Sequence, residues 1–427
     1  MREPPLGRAV SPAHSRRRRR WWTVATLALV LAGGGATTAA VTLTGSGPRD
    51  TVPYSRAAQP VVDENHLVDG RTGRVFVPRG VNWSSFEYAC AQGWGLSTLD
   101  TLPPDGAADE ARAIASWGAN TVRLPLNQDC WLGTRGAPVS DRFEERTVTD
   151  YRTEVSTLAE ALNDAGLVVI LDLHSRKRIG SDEFGSLAMP DAESLAFWDS
   201  VATAFRDHPS VMFDAFSAPY SRRDHAGRPV FDLTWPCWRD GGCRPPAEDA
   251  QTPTRGLVTY VAQGMDRVVG AIRGAGAEQP ILLGGLDQAN DLRHWLEFAP
   301  ADDQLVASFH SYDDRACATR ACWDAVVAPL AGSVPVVTTE LGARRPLDGY
   351  VATYLDWADS HGLGSLFWVW GDGTDELSLR ASAQAAPTAY GELARAYLAR
   401  LSSPTPPRRR LPGRTGRTGR AGHGSGG

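Results

Sequence analysis

Between about residue 61 and residue 401 the chain alternates two hydrophobic patterns: short runs of β-branched and apolar residues, and stretches whose apolar positions return every three or four residues. The first pattern suits strands buried on both faces and the second suits amphipathic helices, so their alternation predicts βα units around a parallel sheet. Eight strand runs stand out: Arg79–Trp83, Asn120–Leu126, Val168–His174, Val211–Phe216, Pro280–Gly285, Gln304–His310, Val334–Glu340 and Ser365–Trp370. Helical spacing is plainest in Tyr151, Val155, Leu158 and Leu162, stopped by Gly166, and in Leu195, Trp198, Ala202 and Phe205 behind the capping residue Asp191. Eight strands alternating with helices predict an α/β fold, a closed (β/α)8 TIM barrel. An open doubly wound sheet would call for a glycine-rich turn after the first strand, where Ser84, Ser85 and Phe86 stand instead. Ahead of the barrel, His66 to Phe76 reads as a short N-terminal β-hairpin turning at Asp69 to Gly73, placed to plug the barrel bottom.

Outside this region the pattern changes. Residues 1–20 are basic, with five arginines from Arg16 to Arg20, and residues 21–44 are apolar enough for a signal peptide or a single transmembrane anchor, the basic flank staying cytoplasmic. Residues 45–60 read as a linker and 402–427 as a disordered Pro/Arg/Gly tail. The net charge of −5 hides an uneven distribution: the two ends hold 14 of the 44 basic residues, leaving 30 basic against 47 acidic residues between them. So acidic a body argues against nucleic acid as a partner. Export fits the six cysteines, which fall as near neighbours and are expected to pair as Cys90 with Cys130, Cys237 with Cys243 and Cys317 with Cys322. No Cys/His spacing suits a metal, and no cofactor is implied.

Catalytic groups of such barrels sit at the C-terminal ends of the strands. Those ends offer Asn82 and Trp83, Arg123, Asp172 and His174, Ser217 and Ala218, Asp287, His310 and Tyr312, Glu340, then Trp368 and Trp370. Buried charges are costly unless paired, so this polar and aromatic set points to a site. Beyond the strand ends, Trp94, Trp131, Trp235, Trp238 and Trp323 could line a binding groove with their flat faces, about half of them in contact with its ligand. The basic run Ser175-Arg176-Lys177-Arg178 reads as a solvated loop, with contact to an acidic sugar or phosphate as the alternative.

From Val61 to Leu401 the sequence resembles the cellulase-like glycoside hydrolases of family five. The resemblance is carried by Arg79-Gly-Val-Asn-Trp, Asn120-Thr-Val-Arg-Leu-Pro, Leu171-Asp-Leu-His, Phe213-Asp-Ala-Phe-Ser-Ala-Pro-Tyr, Ser308-Phe-His-Ser-Tyr, Val336-Val-Thr-Thr-Glu-Leu-Gly and Leu366-Phe-Trp-Val-Trp, in that order. It implies a retaining β-glycosidase with Glu340 as nucleophile, Arg123 and Tyr312 keeping it ionised, His174 and His310 holding sugar hydroxyls or the acid/base, and Trp368 as a platform under the sugar. Asn82, Trp83, Ser217, Tyr220 and Trp370 join the expected substrate contacts. The departure is on the fourth strand, where the family's Asn-Glu-Pro reads Ser217-Ala218-Pro219, removing the general acid/base.

The expectation is therefore a chain that recognises a β-linked glycan outside the cell and hydrolyses it poorly or not at all. An active enzyme with a substitute acid, from Asp224, Asp182 or Glu183, is the alternative; a non-enzymatic cell-wall scaffold is a third.

Overall fold

The computed structural model describes residues 56–139, 147–178, 182–224, 226–247, 258–344, 349–371, 373, 375–382 and 386–402. The N-terminal basic and apolar segments and nearly all of the C-terminal tail lie outside the described residues. Among the described residues no helix is long and apolar enough to cross a membrane.

Eight parallel strands form the barrel: β1 (Arg79–Asn82), β2 (Thr121–Asn127), β3 (Val168–Lys177), β4 (Val211–Asp214), β5 (Ile281–Gly284), β6 (Leu305–Tyr312), β7 (Val336–Gly342) and β8 (Gly364–Phe367). They pair in the order β2-β1-β8-β7-β6-β5-β4-β3, and pairing of β2 with β3 closes the ring. The expected (β/α)8 barrel is thus the fold. Among the described residues six helices of ten or more residues pack outside it: α1 (Gly106–Ser116), α2 (Val148–Asp164), α3 (Ala192–Phe205), α4 (Met265–Gly274), α5 (Tyr350–Ser360) and α6 (Ala389–Ser402). Capping boxes start two of them, Thr147 with Asp150 before α2 and Asp191 with Ser194 before α3.

Alternation along the strands sorts the core into two parts. One set packs between barrel and helices, while Val168, Ile170, Met212, Leu282, Val306, Val337 and Leu366 fill the barrel interior with Leu67 and Ala57. Leu67 belongs to a small antiparallel sheet of Pro60–Asp63, His66–Asp69 and Arg74–Val75, which is the expected hairpin with one strand more. It plugs the barrel bottom by burying Leu67. Ala57, in the segment read as linker, is fully buried there too, its carbonyl accepting from Arg71 at 2.7 Å. Close approach of β1 and β2 requires Gly80, since a Cβ there would lie 1.8 Å from the Thr121 carbonyl oxygen.

The cysteines pair as expected, with Cα–Cα separations of 6.2, 5.7 and 5.3 Å. The basic run after β3 is not a solvated loop. β3 continues to Lys177 and pairs with Phe184–Gly185. Arg176 and Lys177 are buried, Arg176 donating to the Ala247 carbonyl and Lys177 pairing with Asp182 at 2.9 Å. Internal partners offset the burial of both charges, and a role in meeting an acidic ligand loses its basis.

Candidate active site

The same two-residue period that points Val168 and Ile170 inward at the barrel bottom brings Asp172 and His174 inward at the top. Arg123 on β2 and Asp214 on β4 arrive likewise, one period above Thr121 and Met212. Glu340 is the exception. Val337 faces the interior and Thr338 bonds outward to Tyr354 on α5, so strict alternation would turn Glu340 outward. The register slips between Phe309 and His310, which pair with Thr338 and Glu340 and leave Thr339 as an extra residue. This bulge lets Thr339 and Glu340 both face inward, Thr339 bonding Ser308 and Glu340 meeting Arg123.

Arg123 is the hub. Fully buried, it lies 2.9 Å from each of the carboxylates of Asp172, Asp214 and Glu340, and it donates to Asn82 Oδ1 at 3.0 Å and Ser217 Oγ at 2.8 Å. Asn82 is fixed in turn through its amide, which donates to the carbonyls of Thr339 and Phe367. The second oxygen of Glu340 accepts the Tyr312 hydroxyl at 2.7 Å and lies 3.5 Å from His310 Nδ1. Burial alone would raise the Glu340 pKa. His310, Arg123, His174 and the Tyr312 hydroxyl outweigh it and hold the carboxyl down at about 2. Burial pushes His310 itself down to about 3, so at neutral pH the fixed charge beside Glu340 is that of Arg123. Burial and the adjacent Glu340 charge drive the Tyr312 phenol well up, keeping it a donor.

His174 and Trp368 connect this cluster to a cavity of about 330 Å³. His174 Nδ1 lies 2.8 Å from Asp172 Oδ2, and its ring stacks on Trp368 at 5.7 Å with planes 17° apart. Burial lowers the His174 pKa but Asp172 more than reverses this, leaving it raised. The cavity is otherwise lined largely by the loops after β1 and β8, including Glu87, Tyr88, Trp94 and Asp375. Tyr88 meets Trp94 edge-on at 6.4 Å and Phe184 at 5.9 Å, so the walls are aromatic. Glu87, accepting from Ser84 Oγ and the Ser85 amide, has its pKa raised by burial. Sequence reasoning passed over Glu87, Tyr88 and Asp375. Their only signal was nearness in sequence to the ends of β1 and β8.

The end of β4 differs from that of β7. Ser217 Oγ approaches Glu340 to 3.5 Å, and the partly exposed Ala218 presents a methyl group where its neighbours present polar ones. Of His310, buried beside Glu340, the Nε2 atom has no hydrogen-bond partner among the described residues. The end of β5 braces this segment: residues Asp287 to Ala289 form a left-handed turn, and the Gln288 amide donates to Pro219 O at 2.8 Å. Asp287 is exposed on that turn, outside the carboxylate cluster.

Other expected contacts are placed elsewhere. Trp370 is 1% exposed, donates to Glu110 and lies under Arg380, whose guanidinium is 4.0 Å from the ring centroid. It braces the β8 end from outside the cavity. Trp83 is buried with its indole N–H toward Thr98, and the Tyr220 hydroxyl donates to Ser186 O. Of the five groove tryptophans, Trp131, Trp235, Trp238 and Trp323 are core residues, while Trp94 is exposed at the cavity. The acids considered as substitutes are engaged: Asp224 with Arg228, Asp182 with Lys177, and Glu183 with Gln92.

Residues 79–374 match the family described as Cellulase (glycosyl hydrolase family 5). Among solved structures the chain is similar to a β-glucanase from Saccharophagus degradans (18% identity, TM-score 0.60, covering 81% of this chain and 94% of that one). It is also similar to the endoglucanase catalytic domain of Thermobifida fusca in complex with cellotetraose (14%, 0.56, 81% and 99%). A β-mannanase from Thermomonospora fusca follows (16%, 0.52, 79% and 93%). At these identities the solved structures speak for the fold alone. The family match spans more than half of the sequence, and with it the chain belongs to the cellulase family, glycosyl hydrolase family 5.

Proposed function

We propose that this protein recognises a β-linked glycan outside the cell through the aromatic cavity beside Glu340, and that Glu340 is a competent nucleophile working without the family's acid/base. The observation that carries the reading is the contrast at the mouth. Glu340 is held ionised by Arg123 and Tyr312, whereas position 218 has no carboxyl group. Retaining hydrolysis needs two carboxyl groups about 5–5.5 Å apart, one to attack the anomeric carbon and one to protonate the departing oxygen. The attacking half is intact. A sugar leaving group, which needs protonation, should depart slowly, by about 10²–10⁴-fold for the missing acid.

Trp368, Trp94 and Tyr88 offer flat faces to sugar rings, and His174 and Asp375 offer polar groups at their edges. The similar endoglucanase and β-mannanase were captured with cellotetraose and mannotriose, which supports β-linked oligosaccharides as the class to try. Three disulfides favour an oxidising, extracytoplasmic setting.

The test compares the full chain with its Ala218→Glu variant on dinitrophenyl β-glycosides and on cello- and manno-oligosaccharides. The reading expects dinitrophenol release through a trappable Glu340 adduct in the native chain, and oligosaccharide cleavage gained by the variant. Inertness of both proteins on every donor, with no oligosaccharide binding by calorimetry, would remove it. A second reading, an enzyme with a substitute proton donor, is favoured by the Asp172–His174 pair at the cavity.

A further inference from the structure

We propose that His174, oriented by Asp172, is the group that gives a proton to the departing oxygen and later takes one from water, in place of the carboxyl group absent at position 218. The inference rests on Glu340 being the nucleophile.

Placement comes first. The β3–β4 ladder pairs Asp172 with Asp214, and beyond it the Ser217 amide donates to Leu173 O at 3.1 Å. His174 therefore stands beside Ser217 and Ala218 across the seam between two adjacent strands. Asp172 takes Nδ1 at 2.8 Å, which leaves Nε2 as the ring nitrogen for the cavity that His174 lines. A carboxylate that fixes one ring nitrogen sets the tautomer and orientation of the other. Surface acids cannot take the role as readily, since Asp182, Glu183 and Asp224 are held by Lys177, Gln92 and Arg228.

Charge comes second. Around the imidazole stand Asp172 on its own strand, Glu340 on β7, Glu87 from the loop after β1, Arg123 on β2 and His310 on β6. Burial and Arg123 disfavour a charged ring, and the Asp172 and Glu340 carboxylates outweigh them. Trp368, stacked face to face at 5.7 Å, adds an attractive surface for an imidazolium.

The chemistry balances. A Glu340 oxygen forms a bond to the anomeric carbon with its own electron pair. The glycosidic C–O bond breaks, its pair stays on the departing oxygen, and that oxygen takes the proton from His174 Nε2. In the second step water attacks the anomeric carbon and neutral His174 removes its proton. The bond to Glu340 breaks, which restores the carboxylate and the imidazolium.

The experiment uses the full chain and a series of aryl β-glycosides whose phenols range from dinitrophenol to phenol. His174→Gln should lower kcat/KM for phenyl donors by about 10²–10⁴-fold, with a loss that shrinks as the phenol becomes more acidic. It should also abolish the fall in rate at alkaline pH. An imidazole that only supports the fold would depress every donor by one factor, and that result overturns the proposal. Because the variant could misfold, the unsubstituted chain supplies a second reading: the midpoint of His174 titration by NMR must coincide with the alkaline limb of kcat/KM, and a mismatch also overturns it. Dinitrophenol release with a Glu340 adduct but an alkaline limb untouched by His174→Gln sinks the dyad and leaves Glu340 standing. Absence of any dinitrophenol release sinks the nucleophile reading instead.

Discussion

Asp214 on β4 and Glu340 on β7 lie equally close to the same guanidinium, 2.9 Å from Arg123, yet their acidities are driven apart. Glu340 is held down at about 2. Asp214 is pushed up to about 7 because burial, with Asp172 and Glu340 nearby, outweighs Arg123. The difference lies in the remaining contacts: Glu340 has a hydroxyl donor in Tyr312 and the imidazole of His310 beside it, while Asp214 Oδ1 has no partner among the described residues. The Arg123 guanidinium alone cannot neutralise three carboxylates, and the extra donors stand at Glu340. Environments that separate two carboxyl groups in this way are how a site assigns roles to them. Here the ionised member is at β7, and the β4 end has a buried protonatable Asp214 below and a bare Ala218 above.

The sharpest way to break this contrast is Glu340→Gln. With Glu340 as nucleophile, dinitrophenol release falls to the uncatalysed rate and no adduct is found by intact-mass measurement; persistence of either would move the reaction to another group. Next in size is Ala218→Glu, which restores a carboxyl group to the β4 end. Oligosaccharide hydrolysis should rise by about 10²–10⁴-fold where no other group supplies the proton and by less where His174 already does, read as reducing sugar released per enzyme. A variant no faster than the native chain would mean the β4 end differs in more than one side chain.

Much of this contrast was legible in the sequence, because barrel strands carry strong signals. All eight runs lie on the strands observed, and His174, Arg123, His310, Tyr312 and Glu340 converge as their strand-end positions suggested. The bulge that turns Glu340 inward was not legible, since register depends on the neighbouring strand and not on the local period. Trp83 and Trp370 show the same limit: a tryptophan at a strand end looks alike in sequence whether it faces a cavity or an adjoining helix. Arg176 and Lys177 were misread because β3 outruns the barrel, where Arg176 finds partners in Asp191 and the Ala247 carbonyl and Lys177 finds Asp182 across the turn.

Smaller in effect, though it touches both strands, is Arg123→Met. Removing one partner from a buried charge network costs about 3–5 kcal/mol, read as a lower urea midpoint at neutral pH. The variant should recover part of the loss on acidification, because protonating Asp214 and Glu340 relieves their repulsion. A loss independent of pH would point to packing alone.

The smallest effect is also the most specific to the contrast, because the two carboxyls bend the stability curve in opposite directions. Glu340 falls from 4.5 to about 2 on folding, so its contribution is fully present above pH 4.5 and is lost as pH drops toward 2. Asp214 rises from 3.8 to about 7, so the folded state keeps a proton the unfolded chain has lost, and stability declines as pH climbs from 4 through 7. His174, raised from 6.5, adds to the decline above that pH. His310, lowered from 6.5 to about 3, opposes that decline up to about pH 6.5, so the curve rises on the acid side to about pH 4.5, runs nearly level to about 6.5 and falls above it, with each carboxyl contributing on the order of 3 kcal/mol. Urea midpoints across this range check the shape. Asp214→Asn should turn the level stretch into a rise toward pH 6.5, left by His310, while keeping the acid flank of Glu340. If the curve is unchanged in that variant, Asp214 is ionised in the folded state, and the separation between the two strand ends is smaller than their surroundings imply.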